Sequence, residues 1–473
     1  GQNAVDFVAT GTLASGQTVA LKSDGTVVAV VETSVSQSVG SPTTYMFNSA
    51  LENQACYDTA NNKVIVSFVS AGSPSAVVGT VSGTSISFGS VANLPGGNGE
   101  YLICAFDTNS NKVVFFFTDA VNSNYGTSVV GTVSGTSISF GSTVIFNSGA
   151  TYYSKTTFDS TNNKVVVIYQ DVSNADRGTA IVGTVSGTSI SFGNEVVFNT
   201  GTQGQGQDIV FDPVSEKVVL LYGNVSNGQY GTACIGTVSG TSISFGTAVI
   251  FASNATYGIS ADYDSTSDKI IIAIRHNPGT ITGSAFFGTV SGTSISFSAK
   301  STFDAANVDY LSLTYDPFSD KFVIFWRDPS SPYQGRARPG TVSVSSLTLE
   351  NEVTFESGGT AYIGSVFDPD TNQIVVAFKD EGNSNYGKAL MFRNASTSSN
   401  NTSFIGITAE AISNAATGAV NVYGGINEAQ SGLTIASDYY VQTNGTLTTA
   451  SASPAVKVGQ AISATTINMM DLT

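Results

Sequence analysis

The stretch GTVSGTSISFG, from Gly79 to Gly89, recurs letter for letter at Gly131 to Gly141, Gly183 to Gly193 and Gly236 to Gly246, and a fifth copy from Gly288 ends in Ser298 instead of glycine. Inside the phrase Val81, Ile86 and Phe88 alternate with Ser85 and Ser87, the period of a strand with one apolar and one polar face. The SGT step between its halves supplies a hairpin turn, with Gly83 free to take a positive φ. The phrase reads as the outer β-hairpin of a structural unit, and its near-verbatim copies as duplications of that unit.

A second landmark fixes the count. An aromatic-Asp pair followed by a polar turn and an apolar run occurs as YDTANNKV from Tyr57, FDTNSNKV from Phe106, FDSTNNKV from Phe158 and FDPVSEKV from Phe211, then as YDSTSDKI from Tyr263, YDPFSDKF from Tyr315 and FDPDTNQI from Phe367. The successive spacings are 49, 52, 53, 52, 52 and 52. Seven units of about 50 residues, each reading as four short strands, follow the arithmetic of β-propeller blades. The second strand of each unit, for example KVVFFFTD from Lys112, is apolar on both faces, as a strand covered on both sides must be. Its column of large residues, Phe68, Phe117, Tyr169, Tyr222, Ile274, Trp326 and Phe378, is expected to pack between neighbouring units.

A propeller that leaves its first and last blades unjoined exposes two strand edges. The seventh unit loses the pattern after GKALMFRNAS from Gly387, whereas TYMFNSA from Thr44 stands ahead of the first unit as an orphan outer strand. Residues 44–49 are therefore expected to supply the last strand of blade seven. Outside the repeats, GTLASGQTVALKSDGTV from Gly11 and SGLTIASDYYVQTNGTL from Ser431 share an outline, each with a hairpin signal at Asp24-Gly25 or Asn444-Gly445. The expected fold class is all-β: a seven-bladed β-propeller over residues 40–394, with a small terminal β-domain built from residues 1–39 and 395–473.

Composition agrees with an all-β chain and narrows its partners. Hydrophobic residues make up 41% of the 473 and charged residues only 11%, with Ser, Thr, Gly and Asn filling the difference. The 18 basic and 34 acidic residues leave a net charge of −16, which argues against a nucleic-acid groove. No apolar run approaches the roughly 20 residues of a membrane helix. Cys56, Cys104 and Cys234 are odd in number and lack CxxC spacing, so they read as small buried hydrophobes, without a zinc site or a disulfide framework.

GTLASGQTVALKSDGTV, NSNYGTSVVGTVSGTSISFG from Asn122, FIGITAEAISNAATGAVNVYGGI from Phe404 and AVKVGQAISATTI from Ala455 resemble appendage proteins of tailed bacteriophages, especially marine ones. The resemblance runs over nearly the whole chain and carries no assigned chemistry, so it transfers no site residue. It implies a virion or extracellular structural role.

The residues themselves offer little catalysis. The single histidine, His276, occupies the column of Asp119, Asp171, Asn224, Asp328 and Asp380 and reads as a polar residue opening a loop. The seven aspartates of the aromatic-Asp pairs read as turn caps, one per loop being too few for a calcium site. No cofactor or metal is indicated. Sequence variation collects in the loops of one face, where Tyr101, Tyr153, Tyr310 and Tyr362 each stand five residues before the aromatic-Asp, and Tyr125, Tyr230 and Tyr386 lie in neighbouring loops. These tyrosines suit either the packing of the loops or stacking on sugar faces. The expected function is a non-enzymatic phage appendage, a tail fibre or surface decoration, adhesive toward cell-surface glycans, with the terminal domain contacting sister copies or other virion proteins. A subunit of a prokaryotic extracellular filament or surface layer is the alternative, and a glycan-active enzyme the third reading.

Overall fold

The structure, a computed structural model, describes residues 3–277, 279–306, 308–330, 332–451 and 454–470. The first two and last three residues of the terminal segments, and residues 452 and 453, therefore lie outside the described residues. The chain is all-β, and its contacts divide it into two units: Gln37–Asn394, and Gly1–Ser36 together with Ala395–Thr473. Residues 37–39, expected with the terminal segment, belong to the repeat unit instead, because Ser38–Val39 pairs with Phe392 and Arg393 at the end of the last repeat.

Each repeat forms an antiparallel meander. In the second, Gly99–Asp107 pairs with Lys112–Asp119, which pairs with Tyr125–Ser134, and the phrase closes the hairpin to Ser137–Phe140. The outer edge is built in two pieces: SISF covers one half of the third strand, and the segment after it, here starting at Val144, covers the other. That segment runs unbroken into the first strand of the next repeat, as Val144–Asp159, Val196–Asp212 and Val249–Asp264. At the end of the series Thr43–Ser49 pairs with the third strand of the seventh repeat, Tyr386–Arg393, and the first strand of that repeat, Thr360–Asp368, lies against Leu51–Asp58 of the first.

The core is divided among the junctions between successive repeats. In the second strand of the second repeat, Val113, Phe115 and Phe117 face the first repeat, while Val114 and Phe116 face the third. The column expected to pack between units does so: Phe68, Phe117, Tyr169, Tyr222, Ile274, Trp326 and Phe378 are each at most 1% exposed. An aromatic from the preceding outer segment meets most of them, as in Phe146 on Tyr169 (5.3 Å), Phe198 on Tyr222 (5.1 Å) and Phe303 on Trp326 (5.1 Å). That ring lies flat across a glycine of the third strand. A Cβ on Gly126, Gly178, Gly231, Gly283, Gly335 or Gly387 would come within 2.3–2.6 Å of it. The first repeat carries neither partner, with Pro74 at the glycine position and Leu94 in place of the ring.

The recurring phrase has its own contact rule. A Cβ on its last glycine, Gly89, Gly141, Gly193 or Gly246, would fall 1.8–2.0 Å from the carbonyl oxygen of the threonine in the next copy's SGT turn. Gly40 meets Thr84 in the same way, at 2.7 Å. Where the next repeat lacks SGT, the position is no longer glycine: it is Ser298 before the Ser343–Ser346 turn, and Glu350 before Arg393. Close approach of two backbones thus accounts for glycine at this position.

In the terminal unit the two ends of the chain share one five-stranded sheet, in the order Ala4–Val8, Thr417–Val422, Phe404–Thr408, Thr18–Leu21 and Val27–Ala29. A second sheet contains Asp438–Val441 and Val456–Ala461, and Glu32–Val35 pairs with Ser396–Ser399. Among the described residues no helix is long and apolar enough to cross a membrane.

Candidate functional site

Every first strand carries a register shift at one place, between Glu100 and Ile103 in the second repeat and at the matching point in the others. In five repeats the first bulged residue stands five before the aromatic-Asp; in the fourth the shift spans Gln203 to Gln207, and in the fifth it leaves only Tyr257 unpaired. In those five the first bulged residue is a non-glycine residue in the left-handed region: Glu52 (φ 54°), Tyr101 (54°), Tyr153 (54°), Tyr310 (49°) and Tyr362 (50°). Each such residue costs on the order of 1 kcal/mol relative to an extended backbone, a strain that clusters at functional sites. The two remaining repeats have Gly206 and Gly258 there.

These bulges aim their side chains into one cavity of about 480 Å³, walled by the first strands of all seven repeats. Tyr101 and Tyr153 meet edge to face at 4.8 Å, and Tyr310 and Tyr362 meet at 4.6 Å with their planes tilted by 48°. Glu52 sits in the repeat between the two pairs. Its Oε2 accepts from the backbone N–H of Leu102 at 3.2 Å, and burial pushes its carboxyl up to about 7. Burial, then the neighbouring Tyr153, raises the Tyr101 phenol, and burial, then Tyr310, pushes Tyr362 up to about 12. Gly206, Gly258 and the cation Arg275 line the cavity as well, and Arg327 and Lys379 lie over tyrosine rings that do. Arg275 and Arg327 both bond Asp309, at 3.1 and 2.9 Å, and lie 5.7 and 4.5 Å over the rings of Tyr257 and Tyr310. Lys379 lies 5.5 Å over Tyr362. On the floor, Ser154 Oγ and Gln207 Oε1 belong to residues only 3% and 2% exposed, and neither has a hydrogen-bond partner among the described residues.

The structure thus brings Tyr101, Tyr153, Tyr310 and Tyr362 together, placing them on strand bulges and not in loops. Tyr125, Tyr230 and Tyr386, expected in the neighbouring loops of the same site, do not line the cavity. Each is the first residue of a third strand, pulled into register opposite Asp119, Asn224 or Asp380. Sequence reasoning missed Glu52, Gly206 and Gly258, although they share the tyrosines' column, and it missed Arg275, Arg327 and Lys379, which form a column of their own at the end of the second strand.

The remaining candidates are structural. The aspartates of the aromatic-Asp pairs accept backbone N–H groups of their own turns, as Asp107 does from Asn109 (2.9 Å) and Ser110 (3.0 Å). His276 is 6% exposed and bonds Asn254 Oδ1 at 2.9 Å and Ser284 Oγ at 2.8 Å; burial, then Lys300, lowers its pKa and favours the neutral ring. Among the described residues no three His, Cys, Asp or Glu side chains are grouped to hold a metal ion.

No family model and no curated protein sequence matches the chain. Solved structures do. The chain is similar in fold to the BP39L lectin of Burkholderia pseudomallei, with a TM-score of 0.55 at 9% identity over 72% of this chain and 95% of that one. Weaker likenesses are to a protein of unknown function from Dyadobacter fermentans (TM-score 0.45, 11% identity, 76% and 99% covered) and to AofleA from Arthrobotrys oligospora (0.41, 12%, 71% and 94%).

Proposed function

We propose that the repeats are the blades of a seven-bladed β-propeller, that the terminal segments form a separate small β-domain, and that the chain is a non-enzymatic, glycan-binding appendage of a phage virion acting outside the cell. The observation that carries the glycan reading is the convergence of four strained tyrosines on one cavity. Their rings offer flat apolar area with polar tips, and Arg275 beside them offers a donor for sugar hydroxyls. The fold likeness to a protein described as a lectin supports the same reading. The cavity gives one site per chain, so firm attachment comes from many copies on one particle, each raising the effective concentration for the next. The terminal domain supplies the contacts to sister copies or other virion proteins.

A glycan array followed by calorimetry on the strongest hit tests the site. Double variants Tyr101→Ala/Tyr153→Ala and Tyr310→Ala/Tyr362→Ala are expected to weaken binding at least about tenfold, each ring contributing on the order of 1 kcal/mol. Replacement of Tyr125, Tyr230 and Tyr386 leaves it unchanged. Equal affinity in all variants removes the cavity from the account, and release of new reducing ends during incubation overturns the non-enzymatic reading.

A further inference from the structure

We propose that Cys56 and Cys104 are a disulfide-forming pair that links the first strands of the first two repeats. Cys56 stands one residue before the aromatic of its aromatic-Asp pair, Tyr57, and Cys104 two residues before Phe106. The same two positions in the sixth and seventh repeats hold Thr314 and Ser365, whose γ oxygens lie 2.7 Å apart. The repeat geometry therefore brings the γ atoms of these columns into direct contact across a junction, and in the first junction both γ atoms are sulfur. Exposure matches as well: Cys56 and Thr314 are 8% and 3% exposed, while Cys104 and Ser365 are both half-buried. The two cysteines belong to one core cluster, and Ser67 Oγ donates to Cys104 Sγ at 3.7 Å.

Cys104 also lines a second, polar cavity of about 260 Å³ between the first strands, which gives a small oxidant a way in. Cys234 is 1% exposed in the third strand of the fourth repeat and has no cysteine beside it. A link here would reinforce the junction that lacks both the outer aromatic and its glycine. Closure of the loop between residues 56 and 104 restricts the unfolded chain, the usual origin of disulfide stabilisation.

Both thiols are free in the structure, so the bond needs an oxidant, and a small dialkyl disulfide suffices. The Cys104 thiolate attacks one sulfur of that disulfide and expels one alkyl thiolate, which takes a proton. The Cys56 thiolate then attacks Cys104 Sγ and expels the second. Protein dithiol plus dialkyl disulfide becomes protein disulfide plus two alkyl thiols.

The full chain, reduced and then exposed to cystamine, is denatured, alkylated and weighed. A parallel sample is refolded in a cystamine and cysteamine buffer, so that poor access in the folded state does not decide the result. Of the three cysteines, one is expected to remain alkylatable, with a cross-linked peptide containing Cys56 and Cys104. Cys234→Ser is expected to retain none, and Cys56→Ser to form no cross-link and to hold Cys104 as the cysteamine mixed disulfide that wild type resolves. A hydroxyl at the Cys56 position repeats what the sixth repeat carries at Thr314, and an oxidant-dependent rise in melting temperature seen in wild type and absent in Cys56→Ser is the second readout. In wild type, three alkylatable thiols after both treatments, a stable cysteamine adduct without closure, or a cross-link that includes Cys234 overturns the proposal.

Discussion

Glu52 holds its proton at a pH where an exposed glutamate has lost it, because its carboxyl is buried beside Tyr101 and Tyr362 and is only partly repaid by backbone N–H groups. In the unfolded chain the same group titrates near 4.5, and in the folded chain near 7. Between these values the folded state binds more protons. Its contribution to stability is therefore full below about 4.5 and is lost as pH rises through about 7, a change on the order of 3 kcal/mol. Asp262, pushed up to about 6 by its burial, runs in the same direction, and His276, lowered by burial, runs in the opposite one. Urea midpoints of wild type and Glu52→Gln at the two ends of this window separate the contributions: the variant is expected to be flatter across it, and parallel curves would count against a protonated Glu52. The tyrosines beside it were legible from their spacing, whereas their backbone was not. Tyrosine favours an extended strand, and the left-handed bulge is imposed by pairing on both sides of it.

At the scale of elements, the third-strand glycine and the outer-segment aromatic act as one device. Gly231 has the Phe251 ring 2.3 Å from where a Cβ would stand, so Gly231→Ala is expected to destabilise by about 1–3 kcal/mol through overpacking. Gly83→Ala, at a turn with nothing within 4 Å, meets only the left-handed penalty of about 1 kcal/mol. Denaturation midpoints of the two variants check the order, and equal losses would deny the ring its role. Second strands could be read from the sequence because being covered on both faces leaves an unbroken apolar run. The cationic column of Arg275, Arg327 and Lys379 could not, since each ends such a run, and Arg275 and Arg327 show their partner only when Asp309 is brought across from another strand.

For the whole molecule, the pairing of Ser38–Val39 and Thr43–Ser49 with Tyr386–Arg393 ties residues more than 330 positions apart. Deleting residues 37–49 bares one edge of that third strand, removes Tyr45 and uncovers Phe68 and Met391, which share its core cluster. The shortened chain is expected to unfold over a broader denaturant range and to aggregate, which light scattering during the titration would show. An unchanged, sharp transition would mean that the seventh and first repeats hold together without it. The seven repeats were countable from their landmarks. The terminal sheet was legible only as two similar outlines, because its strand order interleaves segments about 400 residues apart and no local pattern encodes which lies beside which.

The seam between neighbouring copies of GTVSGTSISFG, a glycine seated on the following threonine carbonyl, makes each of the first four copies both plug and socket, and the fifth a socket alone. A change in one copy is therefore felt next door, which holds the wording constant, and the departures at Ser298 and Glu350 fall where the following socket has gone. The seam itself is indifferent to which copy follows, whereas the first strands carry one-off ties between particular repeats, such as Asn53 to Tyr362 and Gln207 to Tyr153.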